Sequence, residues 1–484
     1  MKRTRLSKLV VIAMLATLWS SSLPSVGWSR SARPILSSVI PRDVTGIHPN
    51  QVDFDTFAWQ LFVALNWPTR DGKVDRTKII GESPNAPRVW ELYADPVNIF
   101  KDNDVDPGVL RLSVPKDSKL LYMVRKRVER ISGSQDEQAA SAWPLIDQNK
   151  NFALYEVRLN DIETSYIVSQ GLTTPAGIQN YKKPILFPTG SIEVKASWRF
   201  FPENTPREVM ARYHTRKALI AISKDQSSTG SAFQLEGTVG LAGFHIVCKT
   251  PSQRKWVWAT FEQVDNYEIY YKPLPGLKPA FSSGTSTDPN RQPTPKPSNG
   301  TYLWSPKPPT AGGYAPSEVA RCTNETSLPA ALNTRWQTAL ADVPGVANSV
   351  WQYYRLNAIQ WFDAKDKLWP MNEFGVAISR NSVLETYLLG DQTIASQVPA
   401  IGPTNSDPDI THPNTTLADT INATIVAAKT PDKTGSYTWS SCLICHELAL
   451  YQFGPDAKTD NKMTDYSFVF KSYLPAGGSS ASTK

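Results

Sequence analysis

The residues best suited to chemistry stand together near the end of the chain, in the run Cys442-Leu-Ile-Cys445-His446. Two thiols separated by two residues, with an imidazole beside the second, can do three kinds of chemistry. They can add to the vinyl groups of a haem and ligate its iron, exchange disulfides, or bind zinc. Because the chain has only four cysteines and five histidines, a chance occurrence of this pattern is rare.

The surroundings of the motif favour covalent haem attachment over the other two chemistries. A zinc site needs two more thiolates or imidazoles, and no cysteine or histidine follows His446. A disulfide exchanger of the thioredoxin type builds a sheet after its first helix, whereas only 38 residues follow His446. We therefore predict one covalent haem c on Cys442 and Cys445, with His446 as the proximal iron ligand. Disulfide exchange stays the alternative.

The start of the chain predicts export from the cytoplasm. Basic residues at positions 2, 3, 5 and 8 precede the apolar run LVVIAMLATLW, and small and polar residues follow it. That order is typical of a secretory signal peptide, which we place at residues 1–27. The apolar run is too short to cross a hydrocarbon core of roughly 30 Å. We expect a periplasmic or secreted protein without a transmembrane segment after cleavage, in the compartment where bacteria attach haem to cysteines.

The motif and this compartment resemble those of c-type cytochromes. More narrowly, the chain is similar to a little-characterised group of secreted bacterial cytochrome c-like proteins, through GLAGFHIVCKT, WVWATFEQVDN, VWQYYRLNAIQW and SSCLICH. The resemblance implies one-electron transfer through a single haem and a redox partner protein, and leaves open whether the chain is the haem-bearing part of an oxidoreductase. In small soluble cytochromes c the motif lies near the start of the domain, whereas here it lies near the end. A binding, assembly or ligand-sensing protein with an open iron site is the alternative.

Several residues are candidates for the distal side of the iron. Met463 lies 17 residues after His446, close enough for the chain to fold back, and a thioether ligand there would raise the potential. Met371 is a second candidate, if the helices before it form a wall of the pocket. His412 lies in a polar stretch, and His245 lies on a predicted strand where an ordinary hydrogen bond is the simpler role. An open, five-coordinate iron is the remaining alternative.

The two cysteines outside the motif predict a disulfide. Cys248 and Cys322 would both reach an oxidising compartment. Closing a loop of about 75 residues would stabilise the fold by roughly 4 kcal/mol in the chain-entropy model. Two free buried thiols are the alternative.

The hydrophobic pattern predicts an α+β fold. Apolar residues at helical spacing indicate a buried helix over residues 51–67, and alternation with a period of two indicates strands from about residue 152. Residues 239–250 and 255–264 predict an antiparallel hairpin. After a stretch rich in Pro, Gly and Ser, the helical period returns in residues 328–343 and 348–363, which predicts an antiparallel helix pair. The motif segment, 442–453, also has helical spacing.

These patterns divide the chain into four predicted segments. They are the signal peptide, 1–27; a β-rich domain of unknown role with an antiparallel sheet, 28–270; a linker or surface loop, 271–315, whose composition cannot bury much apolar area; and a mainly helical, haem-binding domain, 316–484.

The net charge of +7 is modest, and basic residues are interspersed with acidic ones, so we expect no nucleic-acid partner. The aromatic and acidic residues of 256–266 predict either a ligand site or, more simply, core.

Overall fold

The described residues cover most of the chain outside the predicted leader. The computed structural model describes residues 33–46, 49–101, 118–123, 143–253, 255–267, 279–283, 293–319, 327–362, 368–369, 381–386, 442–447, 449–453 and 461–474. The leader, Met371, His412, Cys322 and the side chain of Cys445 lie outside this set. None of the helices in the described ranges is long and apolar enough to cross a membrane.

Helices and strands both occur along the whole described chain. The helices are α1 (Gln51–Leu65), α2 (Pro96–Ile99), α3 (Asp161–Ser169), α4 (Pro175–Asn180), α5 (Arg207–Met210), α6 (Ser327–Ala341), α7 (Cys442–Glu447) and α8 (Val469–Tyr473). The strands are β1 (Thr69–Arg70), β2 (Lys73–Val74), β3 (Ser118–Met123), β4 (Leu154–Leu159), β5 (Ile192–Phe201), β6 (Thr215–Ile222), β7 (Phe233–Cys248), β8 (Val257–Gln263), β9 (Tyr354–Phe362), β10 (Leu368–Trp369), β11 (Leu450–Gln452) and β12 (Asn461–Met463).

One large sheet organises the molecule. Its hydrogen-bonded order is β10-β9-β8-β7-β5-β4, and β6 pairs with the first half of β7 and carries β3 at its outer edge. All of these pairs are antiparallel except β3 with β6. Although β3 and β4 end the series β3-β6-β7-β5-β4, Lys119 of β3 lies 2.8 Å from Glu156 of β4. The sheet therefore curls until these two strands meet through their side chains.

The inner face of the curled sheet holds the main core. Alternate residues of the central strands point inward, as the period-two pattern predicts, and helix α1 packs there with its aromatic face. The Phe62 ring stacks on Phe261 at 4.4 Å, and Trp59 stacks on Trp336 of α6 at 5.7 Å. Asn50 and Asp53 close the start of α1 with a capping box. The predicted helix at 51–67 and the hairpin of β7 and β8 are confirmed.

The expected α+β division, with a mainly helical C-terminal part, is wrong. The helix at 328–343 exists as α6, but residues 350–353 form a 3-10 turn and residues 354–362 form β9, which pairs with β8 in the same sheet. No antiparallel helix pair forms there. In β9, Thr260 of β8 pairs with Ala358 and Phe261 with Leu356, so Asn357 is an extra residue that shifts the alternation. The core residues Tyr354, Leu356, Ile359 and Trp361 therefore do not keep a period of two, and the apolar pattern resembles that of a helix. The motif helix likewise ends at Glu447, and β11 follows it.

The described part of the Pro-rich stretch packs against the folded body. Trp304 is 2% exposed, and its amide donates to the Gln226 carbonyl at 2.7 Å. Phe281 is fully buried. A few large aromatic residues thus order a stretch whose average composition is polar. The described residues from Ile35 onward belong to one compact unit, and the predicted segment boundaries stay predictions.

Candidate functional site

The motif helix α7 lies on the outer face of the sheet. The amide of Leu443 donates to the side-chain oxygen of Gln360 on β9 at 3.2 Å, and Leu443 is fully buried. Cys442 is 8% exposed. His446 follows Cys442 by four residues, so the thiol and the imidazole project from the same side of the helix. The structure thus brings together two of the three predicted haem-binding residues, and the side chain of Cys445 lies outside the described set.

The His446 imidazole is oriented by a backbone hydrogen bond. Its Nδ1 lies 2.7 Å from the carbonyl oxygen of Tyr466. Because a carbonyl only accepts, Nδ1 carries the proton and the lone pair is on Nε2. A hydrogen bond of this kind fixes the tautomer of a metal-ligating histidine. Burial lowers the pKa of His446 to about 3, so the ring is neutral at physiological pH, the form that binds iron.

Two aromatic rings enclose this imidazole. The Trp258 ring centroid lies 4.0 Å from that of His446, and the Phe468 ring lies at 4.7 Å in an edge-on arrangement. Trp258 belongs to β8 and Phe468 to the segment before α8, so the sheet and the C-terminal segment enclose the ring together. Neither contact was predicted from the sequence, since Trp258 and His446 are far apart along the chain.

The turn that supplies the Tyr466 carbonyl is strained and firmly anchored. Asp465 and Tyr466 have φ values of 49° and 67°, a left-handed conformation that costs non-glycine residues of order 1–3 kcal/mol each. The Asp465 side chain accepts from Lys249 and from the Phe187 amide, and the Asp465 carbonyl accepts from Trp256 Nε1 at 2.7 Å. Strain held in this way is typical of functional sites.

The predicted distal ligand lies on a short hairpin after the motif helix. Met463 is the last residue of β12 and pairs with Leu450 of β11. Its side chain is partly exposed. The chain therefore does fold back after His446, but a role for Met463 on the iron stays a prediction. Met371 and His412 lie outside the described residues.

The residues of the site suit a covalently held haem. Cys442 supplies a thiol and His446 a neutral imidazole with its lone pair on Nε2, which are two of the three groups that the c-type motif requires. No cluster of three or more His, Cys, Asp or Glu side chains suited to a metal ion occurs in the described part of the chain. The iron of a haem needs fewer protein ligands than such a cluster provides.

His245 is the second histidine on the outer face. It lies on β7 opposite Lys195 of β5 and Thr260 of β8. Its Nε2 is 2.6 Å from Glu385 Oε1, and the ring is 2% exposed. The ordinary hydrogen bond expected for His245 is thus present, but its partner lies 140 residues away and could not be identified from the sequence.

The other predicted residues are in the core. Cys248 is buried, and burial raises the pKa of its thiol. Its predicted partner, Cys322, lies outside the described residues, so the disulfide stays a prediction. The aromatic and acidic side chains considered as a ligand site are all buried, and Asp265 pairs with Arg212 while Glu262 accepts from Tyr267. Core is therefore the role that these contacts support.

A buried acid beside the anchored turn has an unusual titration. Glu163 of α3 is fully buried, and neither of its carboxyl oxygens has a hydrogen-bond partner among the described residues. Burial, with the charges of Glu193 and Asp465, raises its pKa well above the ordinary value of 4.5. The folded state then keeps a proton that the unfolded chain loses above this value, so the stability contributed by this group falls as pH rises.

We expect Glu163→Gln to stabilise the protein at neutral pH and to have little effect near pH 4, where both side chains are neutral. The gain grows by up to about 1.4 kcal/mol per pH unit above the unfolded-state value until the native carboxyl itself ionises. Urea unfolding of both proteins at a series of pH values measures it. Glu208→Gln, at an exposed site on α5, is the control. A difference in stability that does not depend on pH would contradict the buried neutral acid.

The chain matches no protein-family model, no curated protein and no solved structure. The features of this chain that bear on its function are the motif helix, the imidazole fixed by Tyr466 and the aromatic rings around it.

Proposed function

We propose that the protein is a periplasmic or secreted monohaem c-type cytochrome that transfers single electrons. One observation carries the proposal: the hydrogen bond from His446 Nδ1 to the Tyr466 carbonyl, which leaves Nε2 as the lone-pair donor at the end of a Cys-X-X-Cys-His motif. A core imidazole would also gain from this hydrogen bond, so it is the position of His446 directly after the second cysteine of the motif that gives the free Nε2 its proposed role on iron.

Each residue of the site has a role in this proposal. Cys442 and Cys445 hold the haem through thioether bonds, and His446 ligates its iron. When bound, the haem supplies reversible one-electron chemistry. Trp258 and Phe468 keep water from the imidazole and restrict its rotation, while the Tyr466 carbonyl raises its basicity. Met463 is the leading candidate for the distal ligand, which would favour the reduced iron. A redox protein is the expected partner.

The test is a visible spectrum of the protein coexpressed with the haem c maturation machinery, with a denaturing gel stained for haem. We expect a stained band and a sharp low-spin α band on reduction. A colourless protein with two titratable thiols at Cys442 and Cys445 would overturn the proposal and leave disulfide chemistry. A stained band with a high-spin iron that binds CO would replace electron transfer by ligand sensing.

A further inference from the structure

The buried imidazole of His245 has one ring nitrogen without a partner. Its Nε2 faces Glu385, and a carboxylate only accepts, so Nε2 carries the proton and the lone pair is on Nδ1. Nδ1 is buried and has no hydrogen-bond partner within the described ranges. A buried acceptor without a hydrogen-bond partner costs free energy. The lone pair on His245 Nδ1 is therefore a position that can bind a proton.

The carboxylate beside this imidazole is fixed and charged. Glu385 Oε2 accepts from the Asn381 amide at 2.7 Å, and the Asn381 side chain donates to Thr260 at 2.9 Å. Burial alone would raise the pKa of Glu385, but the interaction with His245, together with the charge of Lys195 and the Asn381 amide, holds it below its ordinary value. Residues 381–386, which include Glu385, pack closely over Gly243 of β7. An added Cβ at Gly243 would lie only 2.5 Å from the Val383 side chain, so a larger residue would displace this segment. A negative charge is therefore held where it stabilises a positive imidazolium.

The His245 and Glu385 pair lies close to the proposed iron ligand. The Trp258 ring is 5.8 Å from His245 and 4.0 Å from His446, centroid to centroid, so the two imidazoles can be no further apart than the sum of these distances. All of the intervening side chain is buried, and charges interact strongly across such a medium.

The other titratable groups facing His245 come from each neighbouring element. Lys195 lies opposite it on β5, Tyr155 on β4 donates to the Val383 carbonyl, and Glu262 lies two residues beyond Thr260 on β8. With His446 from α7, these groups and Glu385 set the charge balance. The positive charge of Lys195 disfavours a protonated His245. The carboxylate of Glu385, at hydrogen-bond distance from the ring, favours it.

We propose that His245 and Glu385 form a proton-binding site coupled to the haem: His245 Nδ1 takes up one proton from solvent when the iron accepts one electron from the redox partner, and releases it on oxidation. The electron adds one negative charge and the proton one positive charge, so the buried region keeps its net charge. The inference rests on the proposed function, and it makes the midpoint potential depend on pH.

The test is the midpoint potential of the holoprotein, measured by spectroelectrochemistry between about pH 5 and 8, the range in which histidine titrates. Full coupling lowers the potential by about 59 mV for each pH unit. We expect this slope to flatten in His245→Gln and in the isosteric Glu385→Gln. Glu236→Gln removes an exposed carboxylate from the same strand and is expected to keep the native slope. Haem propionates contribute equally to all four proteins, so the difference between variants is the readout.

Proton uptake by the unmodified protein gives a second measurement. Reduction by hexaammineruthenium(II), a donor that releases no proton, is expected to raise the pH of a weakly buffered solution. A haem-stained His245→Gln protein with the native slope and native proton uptake would overturn this inference while leaving the cytochrome intact. A colourless unmodified protein would overturn both.

Discussion

Replacing both Cys442 and Cys445 by serine is expected to abolish covalent haem attachment. The thioether bonds require thiols, and a serine hydroxyl is not a comparable nucleophile. The Leu443 amide donates to Gln360, a backbone hydrogen bond that the serine substitutions leave in place, so the fold is expected to survive. The measurement is the haem stain of a denaturing gel, which we expect to fall from one haem per chain to none, with circular dichroism to verify that the protein is folded.

Cys248→Ala is the matched control for this experiment. It also removes a buried thiol, but Cys248 belongs to the main core on the inner face of the sheet. Its cost is in stability, through the small cavity that it leaves, and the haem stain is expected to stay at the native level. Native staining of the double serine variant would contradict attachment at the motif. Loss of staining in Cys248→Ala, with native staining of the double serine variant, would indicate that the haem is attached to Cys248 instead.

The candidate site was predictable from the sequence only where its chemistry is local. Three residues within five positions identify the motif, because porphyrin geometry fixes their spacing. The groups that orient His446 come from other parts of the chain. Trp258 belongs to β8, and the Tyr466 group is a backbone carbonyl, which any residue type would supply and which the sequence therefore cannot reveal. Glu385, the partner of His245, is equally remote. Contacts of this kind depend on the folded sheet and on no local pattern.

The fold was predictable where apolar residues keep the period of the element. Helix α1 carries its aromatic and aliphatic residues at helical spacing, and β5 alternates apolar with polar residues. In strand β9 the extra residue Asn357 shifts the alternation between Leu356 and Ala358, so the period of two is broken. A strand of the predicted helical part therefore joins the sheet of the predicted β-rich part, which is the reason that the expected fold class failed.

Lys119→Met is expected to cause the largest loss of stability of any substitution considered. The Lys119 ammonium lies 2.9 Å from Glu91 and 2.8 Å from Glu156, and all three side chains are about 95% buried. It also lies over the rings of Trp90 and Trp198, at 4.6 and 5.0 Å. Removing the ammonium leaves two buried carboxylates that keep only Arg158 and Arg216 as cationic partners, and breaking a buried ionic group costs about 3–5 kcal/mol. Urea unfolding at neutral pH measures the loss.

The pH dependence of this loss identifies its cause. Burial alone would raise the pKa of Glu91 and Glu156, but the charge of Lys119 lowers both, together with His214 and Arg216 at Glu91 and with Arg158 at Glu156. Groups with lowered pKa values contribute stability at neutral pH that is lost as the pH falls through those values. The cost of Lys119→Met is therefore expected to shrink in acid. A loss of equal size at pH 7 and pH 4 would indicate lost packing instead.

Lys78→Met and a double-mutant cycle separate the ionic contribution from the rest. Lys78 pairs with Glu82 at 3.3 Å on the surface, with its side chain 40% exposed, and such pairs contribute little. Its replacement is expected to leave the unfolding midpoint nearly unchanged. In the cycle of Lys119→Met with Glu91→Gln, the second substitution is expected to cost less when the first is present, because each removes the other's partner. Strict additivity would rule out the coupling.

The position of Lys119 explains why so much stability depends on one ammonium group. Strand β3 is bound by backbone hydrogen bonds only to β6 within the described residues, and Lys119 connects it to β4 at the other end of the series. Glu156 is held in turn by Trp198 Nε1 at 2.8 Å. The ionic group thus closes the curve of the sheet from inside, and the curved sheet presents the outer face on which α7 lies. A folded Lys119→Met protein with an altered haem spectrum would show that this closure also shapes the site.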